Sequence, residues 1–406
     1  MRIGSCIPGN FQLPGSPAEN EHPTVRALVD GSRHLRELGY DFIEATVESI
    51  ANLSDAEMEK AVQYRKAGLL CLESCNCFIP GTLPLIGEKR DPKKIRAYLE
   101  KTLPRLVRLG VEVVVFGSGG ASVTVCHVLK SLGADPVVVI SRTGENNYEN
   151  LDRHLDAKLL INATPLGMYP NNGESPVDLT RFSALDGVLD VVYNPARTAL
   201  MLQAEQLGIP HASGLSMLVA QAKKACEYFT GNPVPDAEID RIERLLSRQM
   251  ENIILIGMPG CGKSSVGKAL AAALNRPFLD ADEEIVRRAG CSIPEIFAAQ
   301  AEAGFRRLES AVLADLGKQS GIVLATGGGC VTRPENYPSL HQNGCIVWLT
   351  RDLSLLPTDG RPVSQANPLE ALWETRKALY EQFSDIKAAN DGTISECVNA
   401  IEEALL

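Results

Sequence analysis

Gly257-Met258-Pro259-Gly260-Cys261-Gly262-Lys263-Ser264-Ser265 places two glycines, a lysine and a hydroxyl at the spacing G-x-x-x-x-G-K-S, directly after the apolar run Ile253-Ile254-Leu255-Ile256. This spacing makes a phosphate cradle. Successive backbone N–H groups wrap a polyphosphate, Lys263 reaches the β- and γ-phosphates, and the Ser264 hydroxyl reaches Mg²⁺. Gly260, Cys261, Gly262, Lys263, Ser264 and Ser265 are therefore the expected nucleotide-binding residues. The apolar run reads as a strand and the pattern opening at Val266 as a helix, so strand, loop and helix follow in the order such a cradle requires.

Two carboxylates, Asp280 and Asp282, end a second apolar run about twenty residues later. Mg²⁺ keeps several of its waters and takes few direct carboxylates, so one acid of the pair suits the metal shell and the other a substrate hydroxyl. A third apolar run, Ile322 to Thr326, ends in Gly327-Gly328-Gly329, backbone that another group can approach closely. Arg306, Arg361 and Arg376 supply guanidinium forks suited to carboxylate or phosphate. Any one of these arginines alone reads as a surface charge.

In order along the chain, the loop, Asp280-x-Asp282, Phe305-Arg306-Arg307-Leu308-Glu309, Gly327-Gly328-Gly329, Arg361-Pro362 and Arg376-x-x-x-Tyr380 resemble the shikimate kinases across residues 252–406. The resemblance implies transfer of the ATP γ-phosphoryl group to the 3-hydroxyl of shikimate. It assigns Asp280, with Ser264, to the magnesium shell and Asp282 to shikimate hydroxyls. Arg306 and Arg376 take the substrate carboxylate, Gly328 packs against the ring, and Arg361 on a lid meets the ATP phosphates. Lys263, Asp282 and Arg361 become the expected catalytic set. Phosphoryl transfer is mostly positioning and charge neutralisation, so no covalent nucleophile is required. Asp282 either accepts the hydroxyl proton or orients it. Two features depart from the family pattern: Arg376-Lys377-Ala378-Leu379-Tyr380 replaces the frequent Arg-x-Pro-x-Tyr, and the stretch from Trp348 to Arg361 is shorter than usual.

The middle of the chain carries a second glycine turn. Val113-Val114-Val115-Phe116 runs into Gly117-Ser118-Gly119-Gly120-Ala121, a helical pattern follows, and Val137-Val138-Val139-Ile140 reads as the next strand. That context is a dinucleotide-binding βαβ unit. Ser141-Arg142-Thr143 stands where an NAD site would carry an acid, which favours the 2′-phosphate of NADP. With Asn162-Ala163-Thr164-Pro165, Asp190 to Pro195 and Gly214 to Gln221, residues 111–231 resemble the cofactor domain of shikimate dehydrogenase. The resemblance implies that Gly117, Gly119, Gly120, Ala121, Ser141, Arg142 and Thr143 hold NADP and that Tyr193 and Gln221 contact shikimate. The family's motifs Asn-Val-Thr-x-Pro-x-Lys and Gly-x-x-Asn-Thr, which supply its catalytic lysine and aspartate, do not occur in residues 1–116. Lys60, Lys66, Lys89, Lys93, Lys94 and Lys101 read as surface charges. Dehydrogenase activity is therefore expected to be absent.

Residues 1–116 alternate short apolar runs with amphipathic segments, a β/α rhythm. Runs at Arg2–Cys6, Phe42–Val47 and Leu69–Cys75 read as strands, and Val25–Leu38, Asp55–Lys66 and Pro92–Leu109 as helices. The surroundings of Gly39-Tyr40-Asp41-Phe42-Ile43-Glu44 and Glu73 to Gly81 resemble the opening of sugar-phosphate isomerase/epimerase barrels, of which about half is present. Glu44 and Glu73 read as surface or interface carboxylates, and Cys71, Cys75 and Cys77 as reduced thiols, because they fit no zinc spacing. Gly110 to Gly120 would serve both as a barrel's fourth strand and as the first strand of the cofactor domain, so one sheet is expected to continue across residues 111–116.

The expected fold class is α/β, with a partial (β/α) barrel at 1–116, a Rossmann-like domain at 117–250 and a P-loop kinase at 251–406. A length of 406 residues suits about three domains. The net charge of −10 argues against nucleic acid as a partner. No run of about 18 apolar residues suggests a membrane span, and the first residues lack the apolar core of a signal peptide. Eleven scattered cysteines suit a reducing cytoplasm. Small molecules (shikimate, ATP, NADP) are the expected partners, and oligomeric state is not legible. Two alternatives stand beside the kinase with an inactive dehydrogenase-like domain: a bifunctional dehydrogenase/kinase, or an NADP-binding regulator on a kinase scaffold. A kinase for another polyol or nucleotide is a further rival, disfavoured by Arg306, Arg376 and Asp282.

Overall fold

The computed structural model describes residues 4–6, 11–38, 42–46, 50–76, 112–131, 134, 136–356 and 369–405. The lid arginine Arg361, the helix expected at 92–109, Cys77, and Lys89, Lys93, Lys94 and Lys101 lie outside them. The side chains of Glu44, Glu73 and Cys75 likewise lie outside the described set, although their backbone forms strand.

The chain divides into two compact units, one of Met1–Leu166, Ser175–Val192 and Gln203–Gly214, the other of Gly167–Glu174, Tyr193–Leu202 and Leu215–Leu406. The first unit holds two sheets. Strands β1 (Gly4–Cys6), β2 (Phe42–Thr46) and β3 (Leu72–Asn76) are parallel and adjacent in chain order, with α1 (Pro23–Glu37) and α2 (Asp55–Lys66) between them. Pro23 opens α1, where its missing N–H costs nothing. A capping box between Ser54 and Glu57 starts α2. Val25, Leu28, Ile43, Met58 and Leu72 form the core beneath. The β/α rhythm is thus realised, but the described residues make an open three-stranded sheet and close no barrel.

The second sheet consists of β4 (Val113–Phe116), β5 (Val137–Ile140), β6 (Leu159–Asn162), β7 (Gly187–Asp190) and β8 (His211–Ser213), all parallel in the order β5-β4-β6-β7-β8. Helix α3 (Gly120–Ser131) follows β4, and α4 (Ala199–Gln206) precedes β8. This is a Rossmann-like arrangement. It corrects one expectation. A strand has two edges, and β4 gives one to β5 and the other to β6, so no sheet continues from β3 across residues 113–116.

The second unit contains α5 (Leu215–Thr230), α6 (Ala237–Met250) and a five-stranded parallel sheet. Its strands are β9 (Asn252–Ile256), β10 (Phe278–Asp280), β11 (Val323–Ala325), β12 (Gly344–Thr350) and β13 (Ile386–Ala389), ordered β10-β11-β9-β12-β13. Helices α7 (Lys263–Ala273), α8 (Ala281–Ala289), α9 (Ile293–Leu316), α10 (Asn336–His341), α11 (Leu369–Phe383) and α12 (Ile394–Ala404) cover it. Residues 252–256 are buried throughout, as the apolar run without alternation requires of a central parallel strand. The order places β9 at the centre, with β11 on one side and β12 on the other. In such sheets ligands bind beyond the carboxyl ends of the strands. No described helix is long and apolar enough to cross a membrane.

Candidate nucleotide and substrate site

The phosphate loop leaves β9 through Gly257, at φ +144°, and enters α7 through Gly262, at φ +99°. Both angles disfavour side chains, and a methyl group at Gly262 would also strike the Asn390 amide. That amide donates to the Cys261 carbonyl (2.7 Å), pinning the loop from the end of β13. Lys263 begins α7 and is buried, three residues earlier than the helical pattern suggests. Its ammonium donates to the Gly257 (2.9 Å) and Met258 (3.1 Å) carbonyls, so the charge sits inside the arc of the loop.

Ser264 and Asp280 meet directly. The Ser264 hydroxyl donates to Asp280 Oδ2 (2.7 Å), while Asp280 Oδ1 accepts the Asp282 N–H (3.0 Å) and so caps α8. An oriented carboxylate beside a loop hydroxyl is an arrangement that could hold a hydrated divalent cation, with the hydroxyl as ligand and the acid on a metal-bound water.

A cleft of about 730 Å³ opens beyond the strand ends, lined by the loop, Asp280, Asp282 and the glycine turn. Its apolar wall comes from Ile293, Phe297 and Phe305, the two phenylalanines stacked at 4.8 Å. Each glycine of Gly327-Gly328-Gly329 packs against a different functional group. A methyl on Gly327 would lie 2.5 Å from Glu309 Oε1 and 3.1 Å from Asp282 Oδ1, one on Gly328 would strike Pro259 of the loop, and one on Gly329 would strike the Arg306 guanidinium. The turn is the hub that holds the acids, the loop and an arginine together.

Arg306 is 7 % exposed and donates to Glu309 (2.8 Å) and Glu302 (3.1 Å). Glu309 is fully buried, and burial pushes its carboxyl above the usual range, an effect that the Arg306 charge only partly offsets and Asp282 reinforces. Burial works against the Arg306 charge too, but Glu309 and Glu302 outweigh it and hold the guanidinium firmly cationic. Arg306 Nε and Glu309 Oε1 are buried without hydrogen-bond partners among the described residues. Arg376 donates to the Gly328 carbonyl (3.1 Å), which also accepts from the buried Tyr380 hydroxyl. Burial raises the Tyr380 hydroxyl far above its ordinary value and pushes the Cys330 thiol up to about 12, so both stay neutral.

The structure thus brings Gly260, Gly262, Lys263, Ser264, Ser265, Asp280, Asp282, Arg306, Gly328 and Arg376 around one cleft. Cys261 is fully buried within the loop, its carbonyl accepting from Asn390 and its sulfur 4.0 Å from the Lys263 ammonium, and it does not line the cleft. Sequence reasoning passed over Glu309 and Tyr380 as working groups, though both stood in the motifs that flagged Arg306 and Arg376. Their i, i+3 and i, i+4 spacings on helices were the available signal. Arg351 in the cleft wall carried no signal.

In the first unit the second glycine turn is also formed. Gly117 has φ +103° and would clash with Ala163 if it carried a side chain, whereas Gly119 and Gly120 face open space where another molecule's phosphates could approach. Ser141, Arg142 and Thr143 follow β5, the strand beside β4, with Arg142 and Thr143 exposed. Buried Asn162 donates to Asp190 (3.0 Å) and accepts from Thr164 (2.6 Å), tying the carboxyl ends of β6 and β7. Tyr193 and Gln221 belong to the second unit, both exposed.

The family model for shikimate kinase matches residues 259–406. The shikimate kinase of Burkholderia pseudomallei (strain 1710b) is 44% identical over 140 residues, covering 32% of this chain and 76% of the relative. Among solved structures, shikimate kinase from Acinetobacter baumannii in complex with shikimate is 33% identical, covering 40% of this chain and 96% of that one, with a TM-score of 0.37. Shikimate dehydrogenase 1 from Peptoclostridium difficile aligns over 61% of this chain and 98% of its own at 20% identity, with a TM-score of 0.33.

Proposed function

This chain belongs to the shikimate kinase family, and from that premise we propose that it transfers the ATP γ-phosphoryl group to the 3-hydroxyl of shikimate at the cleft beyond β9. The single observation that carries the site assignment is the glycine hub, where Asp282, Glu309, Arg306 and the phosphate loop pack against one turn. Lys263 and the loop N–H groups hold the phosphates of ATP. Mg²⁺, held by Ser264 and through water by Asp280, would neutralise charge on the β- and γ-oxygens. Arg306, kept cationic by Glu309 and Glu302, and Arg376, fixed on the Gly328 carbonyl, take the shikimate carboxylate as charge-assisted hydrogen bonds. Asp282 faces the acceptor hydroxyl and orients it or takes its proton. Arg361 is assigned by the family pattern to the ATP phosphates, where its loss would lower kcat more than affinity.

We read the chain as three domains, at 1–116, 117–250 and 251–406. The middle one is an NADP-binding domain, supported by the strand order and the Gly117 turn, with Arg142 on the 2′-phosphate. Hydride transfer from shikimate needs a substrate group and a proton acceptor that its sequence motifs do not supply, so we assign it binding without dehydrogenation. The deciding experiment is a Mg-ATP turnover screen of the whole chain with shikimate, gluconate and nucleoside monophosphates. Phosphorylation of shikimate alone is expected, and turnover of another acceptor in its place would refute the assignment.

A further inference from the structure

Arg351 is a charged residue of the cleft wall that the proposed reaction does not use. It stands one residue beyond the carboxyl end of β12 and lines the same cleft as the phosphate loop. Its backbone is held on both sides. The Asn390 N–H donates to the Thr350 carbonyl (2.8 Å), the Asp352 N–H donates to Asp391 (2.8 Å), and the Leu349 carbonyl abuts Gly257, the first glycine of the loop.

The other cations of the cleft are engaged by protein groups. Lys263 donates to loop carbonyls, Arg306 to Glu309 and Glu302, and Arg376 to the Gly328 carbonyl. Arg351 has no hydrogen-bond or ion-pair partner among the described residues, and its Nε is buried. A buried guanidinium donor left unsatisfied is costly, and an anion that meets it removes the cost. Position decides which anion. Arg306 and Arg376 both converge on the turn after β11, whereas Arg351 follows β12, and β9 with its phosphate loop lies between those strands. The substrate carboxylate has its two arginines on the β11 side, so the charge facing Arg351 is that of the polyphosphate.

We propose that Arg351 binds the phosphates of the nucleotide directly, as a cation fixed on the rim of the sheet and working beside Lys263. This rests on the nucleotide-binding reading of the loop. Because the backbone on either side of Arg351 is already held at the strand end, only its side chain has to order when the ligand arrives.

The test compares the full chain with R351A and R351K. Calorimetry would measure binding of ATP, AMP and inorganic tripolyphosphate, and steady-state assays would measure KM for ATP and for shikimate. R351A should weaken ATP and tripolyphosphate alike by about tenfold or more, the range for a hydrogen bond to a charged group. AMP binding and KM for shikimate should stay within twofold, and R351K should recover part of the loss because it keeps the charge but not the fork. Unchanged tripolyphosphate binding in R351A would overturn the proposal. So would equal losses for AMP and ATP, which would place Arg351 on the base or ribose. If the parent chain itself binds neither ATP nor tripolyphosphate, the nucleotide reading of the loop fails, and this proposal with it.

Discussion

Arg376 and Tyr380 donate to the same acceptor, the carbonyl oxygen of Gly328. One helical turn apart on α11, they reach the glycine turn side by side. This explains why the Arg-x-x-x-Tyr spacing works without an intervening proline: the regular helix alone aligns the two donors. Tyr380 is fully buried and stacks on Trp348 (5.8 Å), so it acts as the post against which Arg376 is set.

Replacing Lys263 with Met is expected to lower kcat for shikimate phosphorylation by roughly 10²–10³-fold, the scale for removing one charge-stabilising donor. Circular dichroism should show the fold retained. Normal ATP turnover by this variant would exclude the loop as the phosphate site.

Arg306→Ala is expected to weaken shikimate binding by about 1.5–3 kcal/mol while leaving ATP affinity unchanged. It should also lower stability by several kcal/mol, on the order of the cost of stranding a buried charge, because Glu309 loses its partner. Adding Glu309→Gln should restore the melting temperature but not shikimate binding. Recovery of binding in the double variant would move the carboxylate site elsewhere.

Gly329→Ala pushes a methyl group into the Arg306 guanidinium. The expected result is a KM for shikimate raised at least about tenfold, the loss of one charge-assisted bond, with KM for ATP unaffected. Equal effects on both substrates would mean that the turn has collapsed and would remove the separation of roles proposed for its glycines.

The raised Glu309 carboxyl predicts a pH dependence of stability. A folded-state value above the unfolded one means that the folded chain binds more protons between them, so this residue's contribution falls as pH rises through the folded value. Glu309→Gln should therefore flatten the decline in stability as pH rises above the ordinary glutamate value, measured by urea denaturation. A steeper decline in the variant would show that Arg306 dominates burial.

Arg142→Ala is expected to abolish a preference for NADPH over NADH, followed by the fluorescence of the bound reduced cofactor. Shikimate should drive no reduction of NADP⁺ in either protein. Measurable reduction, lost in Tyr193→Ala, would show that a lysine in the first 116 residues serves as the catalytic group.

What the sequence determined by itself was local. A phosphate loop is a property of consecutive residues, since backbone N–H groups a few positions apart make the cradle, and Gly257 to Ser265 therefore predicted its own shape and place. The helix over Asp55–Lys66 was likewise expected from the sequence with these bounds, and the capping box that starts it, Ser54 with Glu57, is itself local. Tertiary structure decided everything that depends on which strands become neighbours. Val113–Phe116 reads equally well as a barrel strand or a Rossmann strand, and only its pairing with β5 and β6 settled the matter, because edge partners come from distant positions. The same holds for the glycine turn. Three identical residues carry no label in the sequence, yet the sheet order sets β11 beside β9 and so gives Gly327 the two acids, Gly328 the phosphate loop and Gly329 the Arg306 guanidinium.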